Sequence, residues 1–277
     1  MTLEEFLKKS LEEDIGSGDH TSLATVSSRK KAAAQLLYKE NGVVAGLAVV
    51  QKLCSLYDPA LQVKFKVNEG EEVDSGTVAM DLSGPARSIL AVERTLLNIV
   101  QRMSGIATKT RRMVKTIAPT GCQLLDTRKT TPLNRMIEKE AVRIGGALNH
   151  RRGLFDMILI KDNHIKACGG ITKAIRKTQA YLKRNGLALP IEIEVRNLQE
   201  LDEVLSVGGV QRILLDNFSP AQLEKAVKCV NSRFETEASG GIDEDNVLEY
   251  ALTGVMYISS GALTHSVKSL DVSLKIR

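Results

Sequence analysis

The sequence lacks any apolar run long enough to cross a bilayer, and it contains little cysteine. No stretch approaches the roughly 20 consecutive apolar residues of a membrane-spanning helix. The N-terminal segment has the pattern of an acidic amphipathic helix rather than that of a signal peptide. Four cysteines, Cys54, Cys122, Cys168 and Cys229, have no paired or metal-binding spacing, which predicts reduced structural thiols. These absences predict a soluble, cytoplasmic protein without a membrane partner.

Charge of one sign is not concentrated anywhere in the chain. Lysine and arginine number 38 against 33 acidic residues, for a formal net charge of +5. This modest excess suits anionic small-molecule substrates, and no long basic run or basic tail predicts a nucleic-acid partner. The 277 residues, 43% of them hydrophobic, are enough to bury a sizeable core in one barrel or in two domains.

Several catalytic signatures are absent as well. The spacing of residues shows no Ser/His/Asp set, no Cys/His pair, no GxGxxG motif and no P-loop. Their absence argues against covalent catalysis. It favours a reaction that depends on positioning and on charge stabilisation.

The chain changes character near residue 100. The elements predicted before that point are a helix over 3–13, an extended segment over 31–50, a strand-turn-strand over 63–84 and a helix over 85–115. The strand-turn-strand resembles half of a biotinyl or lipoyl carrier fold. No lysine lies near Ala79, Met80 and Asp81, where the tip of a carrier hairpin would fall. A structural β layer is therefore favoured, and a non-enzymatic carrier or scaffold protein is the weaker alternative.

From Thr120 onward, apolar strands and amphipathic helices alternate, which is the signature of parallel βα units. The predicted strands lie over 123–125, 157–160, 191–195, 212–215, 234–238 and 254–258. The predicted helices lie over 132–144, 171–185, 198–206, 220–230 and 244–252. The predicted caps are Thr131, Asn197, Ser219 and Asp243, and the predicted stops are Gly145, Gly146, Gly186 and Gly208.

Charged or glycine-rich residues end each of the six predicted strands. In chain order they are Arg128 and Lys129, Lys161, Glu194, Asp216, Ser239–Gly240–Gly241 and Ser259–Ser260–Gly261. The carboxyl ends of parallel strands are where α/β folds build their active sites, so these residues are expected to converge on one mouth. Glu192 and Glu194 are two residues apart and face the same side of their strand, where a buried glutamate needs a cation or a metal as a partner.

This inventory of charges suits a highly anionic substrate together with a divalent metal. Arginine forks hold carboxylates with two hydrogen bonds, and lysines act as point charges on phosphate. Glu194 and Asp216 could share Mg²⁺ with a pyrophosphate. The SGG and SSG tips offer backbone N–H groups that suit a phosphate.

Six short segments carry a specific combination of residues. They are DTRKTTP at 126–132, NHR at 149–151, IKDNH at 160–164, LLDN at 214–217, SGG at 239–241 and GALTH at 261–265. In this order and separation they resemble the quinolinate phosphoribosyltransferases, also called nicotinate-nucleotide pyrophosphorylases. The likeness covers nearly the whole chain, and DTRKTTP and KDNH are its most specific parts.

The resemblance implies an α/β protein in which an N-terminal α/β sandwich-like domain precedes an incomplete, seven-stranded α/β barrel. The implied domains are 1–105, which includes the helical bridge from about 85, and 106–265. Residues 266–277 would form a C-terminal strand or tail that packs back on the N-terminal domain. The resemblance also implies a homodimer in which Arg94 contributes to the neighbouring subunit's site.

The implied activity is that of a pentosyltransferase in de novo NAD biosynthesis. It converts quinolinate and phosphoribosyl pyrophosphate to nicotinate mononucleotide, pyrophosphate and CO₂ with Mg²⁺. A paralogue of the same fold, associated with molybdate transport and using a different acceptor, is the runner-up.

The resemblance assigns roles to individual residues of this chain. Four of them, Arg94, Arg128, His150 and Arg151, would hold the two carboxylates of quinolinate. The implied catalytic residues are Lys129 and Lys161, which would face both substrates, and Glu194 and Asp216, which would face the ribose and the Mg²⁺-bound pyrophosphate. Ser239, Gly240, Gly261 and His265 would lie by a phosphate.

Overall fold

The computed structural model describes the residues Met1–Arg277. They form two compact units, each assembled from separate segments of the chain. The first unit comprises Met1–Arg111, Thr131–Gly146 and Ser266–Arg277, and the second comprises Arg112–Thr130 and Ala147–His265. No helix combines the length and the apolar character that crossing a membrane requires.

An antiparallel sheet of four strands forms a central layer of the first unit. Its strands are β1 Lys31–Tyr38, β3 Gln62–Phe65, β5 Val78–Pro85 and β12 Val272–Ile276, in the order β12-β1-β5-β3. A separate two-stranded ladder joins β2 Gly42–Val43 to β4 Glu72–Val73. Strand β1 pairs with both β5 and β12 and buries Leu36 and Tyr38 completely.

The segment that resembles a carrier hairpin lies inside this sheet. Ala79 and Met80, at the expected tip, belong to β5 and are fully buried. A carrier needs an exposed tip to present its modified lysine. The carrier alternative therefore finds no support in the fold.

Helices cover the rest of the first unit. They are α1 Leu3–Ile15, α2 His20–Thr25, α3 Leu47–Tyr57, α4 Ala86–Ile117 and α5 Arg135–Gly145, of which α4 continues into the second unit. The long helix predicted over 85–115 is confirmed as α4. The extended segment predicted over 31–50 is wrong beyond Val43, because Gly46, with φ of 104°, turns the chain into α3.

Helix α5 begins three residues later than predicted. Leu133 has φ of 68°, a left-handed conformation that is incompatible with a helix, so Asn134 rather than Thr131 is the N-cap residue. Thr131 instead donates its backbone N–H to Glu138 Oε2 at 3.1 Å. Gly146 ends the helix as predicted.

A parallel sheet of six strands forms the second unit. Its strands are β6 Gln123–Leu125, β7 Ile158–Ile160, β8 Ile191–Val195, β9 Arg212–Asp216, β10 Glu235–Ser239 and β11 Tyr257–Ser259, in the order β6-β11-β10-β9-β8-β7. Its helices are α6 Asp162–Cys168, α7 Ile171–Asn185, α8 Leu198–Val207, α9 Pro220–Val230, α10 Val247–Ala251 and α11 Ala262–His265. A 3₁₀ turn, Ala118–Thr120, precedes β6.

A single bridge takes the place of the seventh strand that the resemblance predicts. Leu148 pairs in parallel with Leu125 and so extends the sheet by one residue beyond β6. Six strands rather than seven form ladders because only this one residue of the loop is paired with the edge. No ladder joins β6 to β7, so the barrel is incomplete, as predicted.

Most helix ends of the second unit match their predicted caps. Ser219 and Asn197 each accept a backbone N–H of the first turn of α9 and α8, respectively. Gly186 and Gly208 end α7 and α8. These local signals set the boundaries of the βα units.

Three helices of the second unit differ from prediction. The helix expected from 244 starts at Val247, because residues 243–246 form a turn in which Asn246 Oδ1 accepts the N–H of Asp243. Helices α6 and α11 were not predicted, since their seven and four residues are too few to show a helical period.

Candidate active site

A cavity of about 650 Å³ opens at the carboxyl ends of the parallel strands. Eleven of the twelve predicted site residues line it, and all eleven belong to the second unit. They are Arg128, Lys129, His150, Arg151, Lys161, Glu194, Asp216, Ser239, Gly240, Gly261 and His265. The twelfth, Arg94, is exposed on α4 in the first unit. The structure thus brings the strand-end residues together, while their chemical roles stay predictions.

Two arginines give one side of the cavity its positive charge. Arg128 follows β6 and is exposed, whereas Arg151 is half-buried and donates from Nη1 to Met157 O at 3.3 Å. Burial and then the neighbouring charge of Arg128 lower the pKa of the Arg151 guanidinium. Two guanidinium groups that repel each other form a site for an anion, and their planar forks suit carboxylates.

Carboxylates from neighbouring strands define another part of the cavity. Glu194 lies next to the last residue of β8 and is 8% exposed, and its Oε2 lies 3.2 Å from Lys161 Nζ. Asp216 ends β9 and accepts from Asn217 Nδ2 at 2.7 Å. Burial and then the charge of Glu194 raise the pKa of the Asp216 carboxyl. A divalent cation would relieve this repulsion, and carboxylate oxygens are the ligands that Mg²⁺ prefers.

Glycines at two strand ends keep the backbone accessible to the cavity. Gly240 has φ of 105°, and a Cβ there would lie 2.3 Å from Asn217 Oδ1. A Cβ on Gly261 would lie 2.8 Å from Lys129 Cδ and 3.0 Å from His265 Nε2. Only glycine therefore lets Lys129 and His265 approach this strand end so closely.

A buried aspartate, Asp126, holds the loop that carries Arg151 through hydrogen bonds. Asp126 has no exposed surface and accepts the His150 N–H at 2.8 Å and Asn149 Nδ2 at 2.7 Å. Its position directly after β6 ties the 149–151 loop to the sheet. Asp126 belongs to the DTRK segment, but the sequence did not distinguish it as a support residue.

The imidazole of His150 contacts two buried glutamates beneath the cavity. His150 Nε2 lies 2.9 Å from Glu192 Oε2 and 3.4 Å from Glu237 Oε2. Its Nδ1 accepts the backbone N–H of Arg151 at 2.7 Å. The pairing of a buried glutamate with a cationic group was expected for the β8 strand. Glu237 was missed, because β10 contains two glutamates, Glu235 and Glu237, and its sequence does not indicate that Glu237 is the buried one.

Charge and burial act in opposite directions on this cluster. Burial, the largest influence, lowers the pKa of His150, but the contacts with Glu192 and Glu237 outweigh it and raise the pKa to about 9. A second ring proton on Nδ1 would nevertheless face the N–H of Arg151. The hydrogen bond between this N–H and Nδ1 favours the neutral ring, and burial raises the pKa of the Glu192 carboxyl.

Two models of one protein family together match most of this chain. The family model described as "Quinolinate phosphoribosyl transferase, N-terminal domain" matches residues 19–104. The model described as "Quinolinate phosphoribosyl transferase, C-terminal domain" matches residues 106–275. This chain belongs to the quinolinate phosphoribosyltransferase family.

Relatives in this family extend over almost all of the chain. Quinolinate phosphoribosyltransferase (decarboxylating) 2b, mitochondrial, of Nicotiana tabacum is 44% identical over 289 residues, which cover 99% of this chain and 82% of that protein. The probable nicotinate-nucleotide pyrophosphorylase (carboxylating) of Bacillus subtilis (strain 168) is 41% identical over 276 residues, which cover 100% and 94%.

Solved structures of the family have the same fold as this chain. The crystal structure of NadC from Streptococcus pyogenes matches with a TM-score of 0.94 at 38% identity, covering 99% of this chain and 96% of that one. The nicotinate-nucleotide pyrophosphorylase from Francisella tularensis matches with a TM-score of 0.93 at 36% identity, with 99% and 96% covered.

Proposed function

We propose that this chain transfers a phosphoribosyl group to quinolinate with decarboxylation. The products are nicotinate mononucleotide, pyrophosphate and CO₂, and the place of the reaction is de novo NAD biosynthesis. The observation that carries the proposal is one cavity that joins the guanidinium groups of Arg128 and Arg151 to the carboxylates of Glu194 and Asp216. A dianionic pyridine suits the first pair, and a metal-bound pyrophosphate suits the second.

The quinolinate end of the site is the arginine side of the cavity. Arg128 and Arg151 hold the two carboxylates, since each guanidinium can donate two parallel hydrogen bonds to one carboxylate. His150 supports this end from below, where its ring contacts the backbone of Arg151. Arg94 completes the set from a neighbouring subunit in a homodimer.

Phosphoribosyl pyrophosphate binds to the cavity residues that lie at or after the carboxyl ends of the other strands. Lys129 and Lys161 face both substrates as point charges. Ser239, Gly240, Gly261 and His265 surround a phosphate, which the accessible backbone at the two glycines favours. Glu194 and Asp216 hold Mg²⁺, directly or through water, and the repulsion between their charges supports this assignment. When bound, Mg²⁺ would supply positive charge that stabilises the pyrophosphate as a leaving group.

Positioning and charge are the chemical contribution of this site. The pyridine nitrogen attacks the anomeric carbon of the ribose while pyrophosphate departs through a cation-like transition state. Holding the two anions in line can account for about 7–11 kcal/mol of the barrier at best. Lys129 and Lys161 stabilise the negative charge that develops on the departing pyrophosphate.

Decarboxylation follows from the same alignment. After the transfer, the ring nitrogen is positive, and loss of the adjacent carboxylate as CO₂ leaves a carbanion next to that charge. A proton then replaces the lost carboxylate on the ring carbon. The arginine that holds the remaining carboxylate keeps the ring oriented, and no residue has to act as a general base.

We also propose a cytoplasmic location. All four cysteines are free thiols, as expected for a protein in a reducing compartment. Burial raises the pKa of the Cys54 and Cys122 thiols to about 12, so these two are unreactive structural residues.

The decisive experiment follows CO₂ release from quinolinate labelled in its 2-carboxylate, with Mg²⁺ and phosphoribosyl pyrophosphate. Release that requires phosphoribosyl pyrophosphate, with nicotinate mononucleotide as product and no product from nicotinate, is the expected result. Arg128→Ala removes the charge-assisted hydrogen bonds between the guanidinium and a carboxylate of quinolinate, which contribute about 1.5–3 kcal/mol to binding. The KM for quinolinate should therefore rise roughly 10- to 150-fold. Arg184→Ala, at the exposed end of α7, removes the same charge outside the cavity and should leave KM unchanged.

Absence of CO₂ release by a folded protein under all of these conditions would contradict the proposed substrate. The fold would stand, and a phosphoribosyltransferase with another acceptor would then have to be sought by testing other pyridine carboxylates.

A further inference from the structure

Two fully buried glutamates meet below the cavity without enough partners to satisfy them. Glu192 on β8 and Glu237 on β10 have no exposed surface, and neither carboxylate oxygen of Glu192 nor Oε1 of Glu237 has a hydrogen-bond partner. Their Oε2 atoms both approach His150 Nε2. Burying two carboxylates costs several kcal/mol each, and apolar residues of the same size are often more stable in such places. Fold stability alone therefore does not explain this pair.

Arg212 on β9 completes the cluster from the strand between them. Its Nη1 donates to Glu237 Oε2 at 2.9 Å and its Nη2 to Glu235 Oε2 at 2.9 Å. The guanidinium also lies over the ring of Tyr257, 4.1 Å from the centroid. Glu237 is thus held on one side by Arg212 and contacts His150 on the other. Arg212, Glu237 and His150 are therefore connected in series, and His150 lines the cavity.

We propose that Glu192 and Glu237 are positioning residues that act through His150 to orient Arg151 for one carboxylate of a dianionic pyridine substrate. They fix the imidazole so that Nε2 points its proton between the two carboxylates. Nδ1 is then left as an acceptor for the Arg151 N–H. The inference rests on the proposed function for the identity of the substrate, but the orientation of the ring stands on these contacts alone.

This arrangement gives His150 a different task from a direct ligand of quinolinate. Both ring nitrogens are engaged, one by the carboxylates and one by the backbone of Arg151. The His150 N–H is held in turn by Asp126. The peptide groups before and after His150 are therefore both held by hydrogen bonds. The position of the Arg151 Cα atom is fixed as a result.

The test replaces each glutamate by its neutral isostere, Glu192→Gln and Glu237→Gln, in the full-length enzyme. An amide can donate toward Nε2, which favours the other tautomer and releases the Arg151 N–H. The KM for quinolinate should rise about tenfold or more, as expected when a positioning contact of roughly 1.4 kcal/mol is lost. The KM for phosphoribosyl pyrophosphate should change less than twofold in both variants. Tm should not fall in Glu192→Gln, whereas Glu237→Gln also breaks the ion pair with Arg212 and should lower it.

Glu235→Gln is the matched control. Glu235 binds the other end of Arg212 and its side chain is 43% exposed, so its loss changes the same guanidinium without reaching His150. The control should keep the wild-type KM for both substrates. A purely structural role for the cluster predicts lower Tm in both buried variants, with the two KM values rising together, and this result would overturn the proposal.

A spectroscopic measurement separates this proposal from the proposed function. The chain has four histidines, so ¹⁵N-labelled histidine gives few ring signals, and His150→Gln assigns one of them. We expect an unprotonated Nδ1 and a protonated Nε2 in the wild type, and loss of this pattern in Glu192→Gln or Glu237→Gln. This readout holds even if quinolinate is not the substrate. A wild-type ring with a protonated Nδ1, or zinc bound stoichiometrically at His150 as purified, would refute the inference.

Discussion

At the scale of single residues, Asp216 carries a charge that costs folding free energy. Its pKa is raised above the ordinary value because the carboxyl is partly buried and close to Glu194. A carboxyl with a raised native pKa is more costly when ionised, so stability falls as pH rises through that pKa and stays lower at neutral pH. The proposed cation offsets this cost when it binds.

Asp216→Asn should therefore stabilise the metal-free protein and abolish its response to Mg²⁺. The expected result is a higher Tm without metal at pH 7, and loss of the rise in Tm that Mg²⁺ with pyrophosphate causes in the wild type. Thermal unfolding with and without these ligands measures both. Asp202→Asn, exposed on α8, is the control and should behave as wild type. A lower metal-free Tm for Asp216→Asn would contradict the argument.

The residues that the sequence could identify are those that end strands. Lys161 directly follows β7, Arg128 lies shortly after β6 and Glu194 lies near the end of β8, so parallel topology alone brings them together. Glu237 and Arg212 were beyond reach because their importance depends on which residues face them across β8, β9 and β10. That pairing is set by sheet order and register, neither of which a single sequence displays.

At the scale of secondary structure, Gly145 sets how closely α5 packs on α4. A Cβ at this position would lie 2.7 Å from Ala107 O and 2.5 Å from Thr110 Cβ. Backbone cannot yield to such a contact without a shift of one helix. The glycine was predicted only as a helix stop, yet its main function in the fold is close packing.

Gly145→Ala should destabilise the protein by about 1–3 kcal/mol or more, as is typical of overpacking in a core. Urea unfolding followed by circular dichroism measures the loss. Gly186→Asn, at a left-handed helix end with open space around it, is the matched control and should change stability little. Equal stability of Gly145→Ala and wild type would show that the two helices are free to separate.

Elements were predicted well where their signals are local. Helices α7 and α9 and strand β8 have the predicted bounds, because caps, glycines and apolar period coincide there. The predicted starts of α5 and α10 lie too early in the chain, since Leu133 and the turn at 243–246 adopt conformations that their residue types do not indicate. Proline and aspartate at those positions favour a helix start, but they do not require it.

At the scale of the whole molecule, the proposed homodimer places Arg94 in the neighbouring subunit's site. Arg94 is exposed on α4, and the eleven other predicted residues line a cavity built from the second unit. A site divided in this way between two copies has a specific genetic signature. Two variants that are impaired in different halves of the site can complement one another in a mixed dimer.

Mixing Arg94→Ala with Arg128→Ala should restore activity at a quinolinate concentration far below the raised KM, where each variant alone is nearly inactive. Random exchange of subunits makes half of the dimers mixed, and each mixed dimer has one intact site of two, so about a quarter of wild-type activity is expected. Assay after denaturation and refolding of the equimolar mixture measures it. Mixing Arg128→Ala with Lys129→Ala, both in the same cavity, is the control and should restore nothing. Failure of the first mixture would place Arg94 outside the neighbour's site.

The pairing of β12 with β1 also bears on how the protein is made. Strand β1 has β5 on one side, and its other side stays open until β12 has been synthesised. The ribosome synthesises the strands and helices of the second unit in between, at about 5–20 residues per second. During that interval β1 presents an unpaired edge, which is a template for association with other chains. The nascent protein therefore passes through a period in which a chaperone, rather than its own last strand, has to protect this sheet.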